Sequence, residues 1–201
     1  YPAGDLKESL GLYRNLYNEV KDRVDNHIGT VAEEKYRLAF AELPPWHDLK
    51  IFDELAERGW NFVIESWAYH PPKPIDSNKV SDPLERIARQ TYQWLTGYFK
   101  DASQQKEYMG YFAYPYLEWA RTYQCDGAFL HPLLSCRTAT NHLTLVQDRL
   151  LNKLKVPSLV VEGDIVDLKL FNHADTMRKA EVFEEIMDHY KRERREEGLE
   201  W

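Results

Sequence analysis

The sequence predicts an α/β protein with a doubly wound, flavodoxin-like or Rossmann-like sheet: four parallel strands, helices on both faces and one helical insert. Four short, nearly continuous apolar runs carry this prediction, because strands buried on both faces lack polar alternation. Segments with helical periodicity separate the runs, as the right-handed crossovers between parallel strands require. We expect the strand order 2-1-3-4, with the topological switch point between the first and third strands.

The first third of the chain supplies a helix, a strand and a second helix. Apolar side chains recur at steps of three and four residues over 4–28, which predicts an amphipathic helix. The first predicted strand, YRLAFAEL at 36–43, stops at two prolines. Residues 47–59 then form an amphipathic helical pattern that ends at Gly59, the position where glycine commonly terminates a helix.

The second strand and the insert follow. NFVIESWAY at 61–69 is the second predicted strand, and a polar loop rich in proline comes after it. Helical, aromatic-rich sequence then runs over about 82–124. Asp82 is its predicted cap, Pro83 suits the first helical position, and Glu85 is placed to reach back to the cap.

The last third alternates strands and helices again. AFLHPLL at 128–134 is the third predicted strand, 139–154 a helix, and SLVVEGD at 158–164 the fourth strand. The final helix runs from about 173 to 197 and ends in a charged, solvated tail. The side chains predicted to face the core from these two helices are Leu143, Val146, Leu150 and Leu154, and Met177, Ala180, Phe183, Met187 and Tyr190.

Composition bounds the class of protein. The 201 residues are 43% hydrophobic and 29% charged with a net charge of −7, which is ordinary for a globular chain. No apolar stretch reaches the ~18 residues of a membrane span, no leader peptide is recognisable, and the acidic balance argues against a nucleic-acid partner. Two cysteines make no disulfide framework and favour the reducing cytoplasm.

The domain organisation is expected to be simple. A helix over 1–30 leads into one α/β domain over 31–201. The chain starts at Tyr1 without an initiator methionine. We therefore expect it to be part of a longer protein whose preceding domain is absent here.

Ligands of doubly wound sheets bind beyond the carboxyl ends of the strands. The residues predicted at these ends are Pro45, Trp46, Glu65, Ser66, His131, Ser135, Cys136, Arg137, Glu162 and Asp164. Cys136 therefore lies on the functional edge by topology alone.

Several chemical roles are open to Cys136. A lone cysteine is usually a small buried hydrophobe, but a place just past a strand end, between Ser135 and Arg137, weakens that reading. A disulfide to Cys125 is disfavoured because the third strand separates the two. A phosphatase-like nucleophile needs an arginine several residues later, where His142 stands, and zinc needs more ligands at short spacing. One ligand of an iron–sulfur cluster completed by distant segments fits a single cysteine.

Four longer stretches point to a family. DGAFLHPLLSCRTAT, VPSLVVEGDIVDLKLFNHADTMRKAEVFEEIM, YRLAFAELPPW and ERGWNFVIES together resemble the C-terminal part of the 2-hydroxyacyl-CoA dehydratase and benzoyl-CoA reductase family. In that family a strand ends in a short loop with a cysteine, a helix follows, and a further strand ends in an E-G-D-x-x-D motif. The resemblance covers roughly residues 30–190.

The resemblance implies a cofactor, partners and a reaction. Family subunits have two domains, pair as heterodimers, and hold a [4Fe–4S] cluster by two cysteines from the N-terminal domain and one from the C-terminal domain. Cys136 matches the third cysteine. An ATP-hydrolysing iron–sulfur activator delivers low-potential electrons for an oxygen-sensitive ring reduction of an aromatic acyl-CoA or dehydration of a 2-hydroxyacyl-CoA. Without the first domain, the isolated chain is expected to be inactive and to lack a complete cluster.

Other candidate residues have two readings each. Arg137 and His131 would tune the cluster or contact an acyl-CoA, while a surface ion pair and a structural histidine are their ordinary roles. Glu162 and Asp164 would supply hydrogen bonds around the site or simply cap turns. Trp46 would line an aromatic pocket or pack in the core. We interpret His142, His173 and Cys125 as structural.

Two other functions stay open at this point. One is an electron carrier with a double cluster from the same superfamily. The other is a metal-free α/β module that binds CoA or a nucleotide, although neither G-x-G-x-x-G nor G-x-x-x-x-G-K-[ST] occurs in the sequence.

Overall fold

The computed structural model describes residues 6–65, 79–92, 114–199 and 201. Eight segments of helix and four strands occur in this part of the chain. In chain order they are α1 (Leu6–Asp25), β1 (Tyr36–Ala41), α2 (Lys50–Glu57), β2 (Trp60–Glu65), α3 (83–92), α4 (Tyr114–Thr122), β3 (Gly127–Leu130), α5 (Arg137–Thr140), α6 (Leu143–Leu154), β4 (Ser158–Val160), a 3₁₀ turn (Leu168–Leu170) and α7 (His173–Glu196).

The four strands form one parallel sheet in the order β2-β1-β3-β4. The predicted fold class and strand order are therefore confirmed. β1 pairs with β2 on one side and with β3 on the other, so the switch point lies between β1 and β3. The winding direction of the chain reverses there, which opens a crevice at the carboxyl edge.

Two apolar layers cover the sheet. Successive strand residues point to opposite faces, so Leu38 and Phe40 of β1 pack with α2 and α7, while Ala39 and Ala41 pack with α4 and α6. The side chains predicted to face the core from α6 are all buried. Ala180, Phe183 and Met187 of α7 are buried too, Met177 packs beside them, and Tyr190 is half-buried.

The strands are shorter than their apolar runs. β3 ends at Leu130, whereas the run continues through His131-Pro132-Leu133-Leu134. Proline has no N–H to donate, and the run pairs with the next loop only through an isolated bridge between Leu133 and Gly163. His131, Pro132 and Leu133 are buried although they lie beyond the end of β3, whereas Leu134 is 47% exposed.

Helix ends follow local chemistry with two exceptions. Gly59 terminates α2 with φ +91°, where a Cβ atom would collide with the Glu33 carbonyl, and Asp82 caps α3 through a 2.9 Å bond from Leu84 N–H. Glu85, however, binds Arg89 instead of reaching back to the cap. The helix predicted over 139–154 is also divided, since a turn at 141–142 separates α5 from α6.

The insert predicted over 82–124 is helical in α3 and α4, and its middle, 93–113, lies outside the described residues. The division into 1–30 and 31–201 stays a prediction. In the part of the chain that the structure describes, no helix combines the length and the apolar character needed to cross a bilayer.

The apolar stripe of α1 does not join either core. Leu10, Tyr13, Tyr17, Val20 and Val24 are between 47% and 67% exposed. The predicted helix is confirmed, but its apolar face lies on the surface. Contiguous apolar surface of this kind is typical of a protein interface.

Candidate functional site

The loop after β3 presents Cys136 at the carboxyl edge of the sheet. Cys136 is exposed and precedes α5, and its side chain makes no capping hydrogen bond. Its backbone is held: the Cys136 N–H donates to the Leu133 carbonyl at 2.9 Å. The Thr140 hydroxyl lies 2.8 Å from the same carbonyl and 3.0 Å from that of Cys136. The thiol therefore stands in solvent on a well-anchored turn.

The loop after β4 supports this turn. Gly163 N–H donates to the Pro132 carbonyl at 3.2 Å, and Leu134 N–H donates to the Gly163 carbonyl at 3.1 Å. Asp164 accepts the Ser135 N–H at 2.7 Å on one carboxylate oxygen and the Val166 N–H at 2.7 Å on the other. The hydrogen bonds from the Ser135 side chain and from these N–H groups hold the pKa of Asp164 well below its usual range. The E-G-D motif thus braces the cysteine loop.

His131 is buried inside the same edge. Its Nδ1 lies 2.6 Å from the Leu43 carbonyl, which only accepts hydrogen bonds, so Nδ1 carries the proton. Nε2 has no hydrogen-bond partner among the described residues and faces Gly163, where a Cβ atom would collide with it. Burial lowers the pKa of His131, so the imidazole is neutral. Of the two roles expected for His131, this burial supports the structural one.

An apolar pocket of about 780 Å³ lies by the ends of β1 and β2. Trp46 and Glu65, two of the predicted site residues, line it, and Trp46 is 60% exposed. Pro45 is buried next to the lining residue Pro44. The other described lining residues are Phe40, Leu43, Leu49, Phe52, Phe62, Val63, Ile64 and Tyr123.

The predicted site residues fall into two groups. Ser135, Cys136 and Asp164 are joined by the loop hydrogen bonds, and the exposed Arg137 and Glu162 neighbour them in sequence. Pro45, Trp46 and Glu65 belong to the pocket. His131 connects the groups, because it contacts the cysteine loop's supporting glycine and the pocket residue Leu43. Ser66 lies outside the described residues.

The sequence did not predict the contact between the polar side chains of Glu42 and His142. Glu42, directly after β1, places Oε1 3.0 Å from Nε2 of His142, and the two side chains are only 6% and 10% exposed. The backbone of Glu42 is left-handed, with φ +74°. The signal in the sequence is a glutamate inside the apolar run FAEL, just before the two prolines.

The two cysteines differ. Both are free, which confirms that they do not pair. Cys125 is fully buried, and burial raises its pKa to about 12. A neutral thiol inside the core packs as a small apolar group. Cys136 is therefore the accessible thiol of this chain.

The described residues alone do not assemble a metal centre. No group of three or more histidine, cysteine, aspartate or glutamate side chains in 6–65, 79–92 and 114–199 could hold a metal ion. The exposed thiol of Cys136 can contribute one ligand. A cluster of the kind implied by the resemblance needs further thiolates.

Known proteins resemble this chain over most of its length. A family model described as 2-hydroxyglutaryl-CoA dehydratase, D-component, matches residues 3–187. A benzoyl-CoA reductase subunit from Thauera aromatica is 23% identical over 193 residues, which make up 92% of this chain and 42% of the relative. The chain thus spans less than half of that relative's length.

Proposed function

This chain belongs to the 2-hydroxyglutaryl-CoA dehydratase D-component family, and we propose that it forms the C-terminal domain of an iron–sulfur subunit of an acyl-CoA reductase or dehydratase. The reaction is an oxygen-sensitive, ATP-coupled reduction of an aromatic acyl-CoA ring or dehydration of a 2-hydroxyacyl-CoA. Family members carry the names of both kinds of enzyme, which supports this range of chemistry.

The single observation that carries the proposal is the exposed thiol of Cys136 on an anchored loop at the switch-point edge. Thiolates are the usual ligands of [4Fe–4S] clusters. A ligand that must meet iron from another domain needs an accessible sulfur and a backbone that does not move away. The proposal assigns one ligand to this chain, Cys136, and the remaining ligands to the rest of the protein.

Neighbouring residues favour a ligand role. Ser135 and Arg137 flank Cys136 in sequence, and a neighbouring arginine favours the thiolate form of a cysteine. Asp164 accepts a hydrogen bond from the Ser135 backbone, so it helps to fix the position of the loop that carries Cys136. The exposed Glu162 remains a candidate contact to the acyl-CoA.

The apolar pocket is the proposed place for the acyl group. Its aromatic and aliphatic lining suits a desolvated acyl chain or ring, and Trp46 and Glu65 stand at its wall. We assign Pro45 and His131 supporting roles at this pocket, in the case of His131 by holding Leu43. Ser66 stays a proposed substrate-pocket residue from the sequence. When bound, the cluster would supply electron transfer, while these residues bind and orient the substrate.

A partner subunit is part of the proposal. The relative from Thauera aromatica is named as a subunit, and the exposed stripe of α1 offers an apolar surface for another domain or chain. We propose a heterodimer served by an ATP-hydrolysing iron–sulfur activator in the cytoplasm. Acyl-CoA is its small-molecule substrate.

The test compares Cys136→Ser with Cys125→Ser in the full-length protein with its partner, purified without oxygen. Serine binds iron more weakly than thiolate, so Cys136→Ser should lose cluster iron, its electron paramagnetic resonance signal and acyl-CoA turnover. Cys125→Ser should keep all three. Retention of iron by Cys136→Ser, or its loss in Cys125→Ser, would contradict the ligand assignment.

Two further measurements separate the alternative functions. Intact cluster iron without acyl-CoA turnover in the presence of the activator would favour an electron carrier. A full-length protein that binds acyl-CoA but takes up no iron on anaerobic reconstitution would favour the metal-free binding module.

A further inference from the structure

We propose that Glu42 and His142 form a proton-transfer pair that protonates the substrate at the switch-point crevice. This inference deepens the proposed function and rests on it. No sequence motif assigns a role to Glu42, and the sequence alone favours a structural role for His142.

The backbone of Glu42 is strained. Its φ of +74° lies in the left-handed region, which residues other than glycine, asparagine and aspartate seldom adopt. Such backbone strain persists where the surrounding structure enforces it and clusters at functional sites. Here it occurs directly after β1, the strand that forms one side of the switch point. Glycine or asparagine would form a turn at this position with less strain. The presence of glutamate therefore indicates that its side chain has a role of its own.

The contact between Glu42 and His142 fixes the position of a proton. Nδ1 of His142 lies 3.2 Å from the Thr138 carbonyl, which only accepts, so Nδ1 carries a hydrogen. Nε2 lies 3.0 Å from Glu42 Oε1. A contact between these two atoms requires one proton between them, either as imidazolium with carboxylate or as imidazole with carboxylic acid. The pair therefore holds one transferable proton in a nearly water-free place.

The pair adjoins the residues of the proposed site along the chain. Thr138 lies in α5, which starts directly after Cys136, and His142 is the residue just before α6, so Cys136 and His142 belong to one short segment. Glu42 precedes Leu43, which lines the apolar pocket. Titratable groups near the pair include Tyr116, whose ring centroid lies 6.4 Å from that of His142, and the neutral His131, which lies near Glu42.

The transfer balances without any further reagent. The bond between the proton and the pair breaks, and the electron pair of that bond stays on Nε2 or on the carboxylate oxygen. The proton forms a new bond to the anionic atom of the acyl-CoA substrate, or to the departing hydroxide to give water. The pair is left as neutral imidazole and carboxylate, and a solvent proton restores it.

The first test uses turnover by the full-length protein with its partner and activator. Glu42→Asp and Glu42→Asn make a matched set, because both residues tolerate the left-handed backbone and only aspartate can hold the proton. Glu42→Asn and His142→Gln should lower kcat about 10²- to 10⁴-fold, the usual contribution of general acid–base catalysis, with little change in KM. The alkaline limb of the kcat profile, where the pair loses its proton, should disappear in both.

Glu42→Asp should restore part of kcat and keep an alkaline limb. His189→Gln serves as a control, since His189 is exposed on α7 and lies 3.7 Å from Glu193. A purely structural role predicts instead that Glu42→Asn loses stability and keeps the wild-type pH profile, and that result would overturn the proposal.

The second test needs no turnover. Long-range ¹H–¹⁵N correlations of histidine in the metal-free, full-length protein report which ring nitrogen carries hydrogen. His142 should carry a hydrogen on Nδ1, and Glu42→Asn should leave that hydrogen in place while changing the signal of Nε2. An unprotonated Nδ1 would overturn the pair. If the wild type shows this hydrogen pattern but turns over no acyl-CoA, the proposed function is wrong, although the contact between Glu42 and His142 is confirmed. If the wild type turns over acyl-CoA and Glu42→Asn has the same kcat, the proposed function holds and the proton-transfer role of the pair is wrong.

Discussion

The backbone N–H of Ser135 donates a 2.7 Å hydrogen bond to Oδ2 of Asp164, and this bond joins the loop that carries Cys136 to the loop after β4. The other oxygen of the same carboxylate accepts the Val166 N–H at 2.7 Å. One buried side chain therefore organises both loops at the carboxyl edge of the sheet.

Asp164→Asn should loosen both loops. An asparagine side chain offers a single oxygen acceptor, so the N–H of either Ser135 or Val166 loses its partner. Amide hydrogen exchange at these two positions should accelerate, while Asp148→Asn, on the exposed face of α6, should leave it unchanged. Equal protection in wild type and Asp164→Asn would contradict this role.

Acid should act through the same carboxylate. The pKa of Asp164 is lower in the folded protein than its ordinary value of about 3.9. Its contribution to stability is therefore complete above that ordinary value and declines as the pH falls toward the folded pKa. The urea midpoint of the wild type should fall more steeply between neutral and acid pH than that of Asp164→Asn. Parallel profiles would count against the linkage.

The two thiols should react at very different rates. Cys136 is exposed, whereas Cys125 is fully buried and its pKa is raised to about 12. With a thiol-specific chromophore at neutral pH, one thiol should react quickly and the second only on unfolding. Cys136→Ser should remove the fast phase alone. Two fast phases in the native protein would show that Cys125 is accessible.

Arg194→Met should destabilise the protein, because Arg194 binds Asp126, the residue that directly precedes β3. Arg194 Nη2 lies 3.0 Å from Asp126, and both side chains are under a tenth exposed, at 4% and 7%. Removing the arginine leaves the buried carboxylate with only the less buried Lys191, at 3.1 Å, as its ion-pair partner among the described residues. The loss of unfolding free energy should therefore approach, from below, the ~3–5 kcal/mol that a fully unpaired buried charge costs. Denaturant unfolding measures this loss.

The control for this change is Arg178→Met. Arg178 pairs with Asp175 at the surface and is 69% exposed, so its loss should cost at most about 1 kcal/mol. Adding Asp126→Asn to Arg194→Met should recover part of the lost stability. Equal effects of the two arginine changes would refute the buried-pair argument.

Gly163→Ala should also destabilise the protein. A Cβ atom at Gly163 would overlap His131 Nε2, and overpacking of this kind costs about 1–3 kcal/mol. Gly11→Ala in α1 is the matched change, because no atom lies within 4 Å of the added carbon. It should be neutral or stabilise the helix by up to about 1 kcal/mol. Thermal unfolding of both variants distinguishes packing from chain-entropy effects.

His173 should make the contact between α2 and the start of α7 depend on pH. Its Nε2 lies 2.9 Å from Glu54 and its Nδ1 2.7 Å from Asp48, and the hydrogen bonds to Glu54 and then Asp48 raise its pKa. The folded pKa exceeds the unfolded one, so this stabilisation is complete below about 6.5 and is lost as the pH rises through the folded value. Lys50, which also binds Glu54, stays charged throughout this range.

His173→Gln should therefore flatten the decline in stability above neutral pH, which urea titrations at a series of pH values measure. His189→Gln provides the comparison on the exposed face of α7. A steeper decline in His173→Gln than in the wild type would reverse the sign of this linkage.

Local sequence determined much of this protein. The apolar runs located all four strands, because burial on both sheet faces demands continuous hydrophobicity. Pairs such as Asp82 and Pro83, and the single Gly59, marked helix ends through contacts a few residues long. Right-handed crossovers then left few strand orders, and the order 2-1-3-4 was among them. Cys136 was expected at the carboxyl edge of the sheet because it follows the third of these parallel strands.

Tertiary packing decided the rest. Glu42 and His142, or Ser135 and Asp164, meet only after separate crossovers return the chain to one sheet edge, and no local period records such a meeting. The apolar stripe of α1 is a second feature that local sequence did not resolve. Its periodicity predicts an apolar face, but a period does not say what the face packs against. Strand identity depends on neighbours in sequence, whereas a site depends on side chains that only the closed fold brings together.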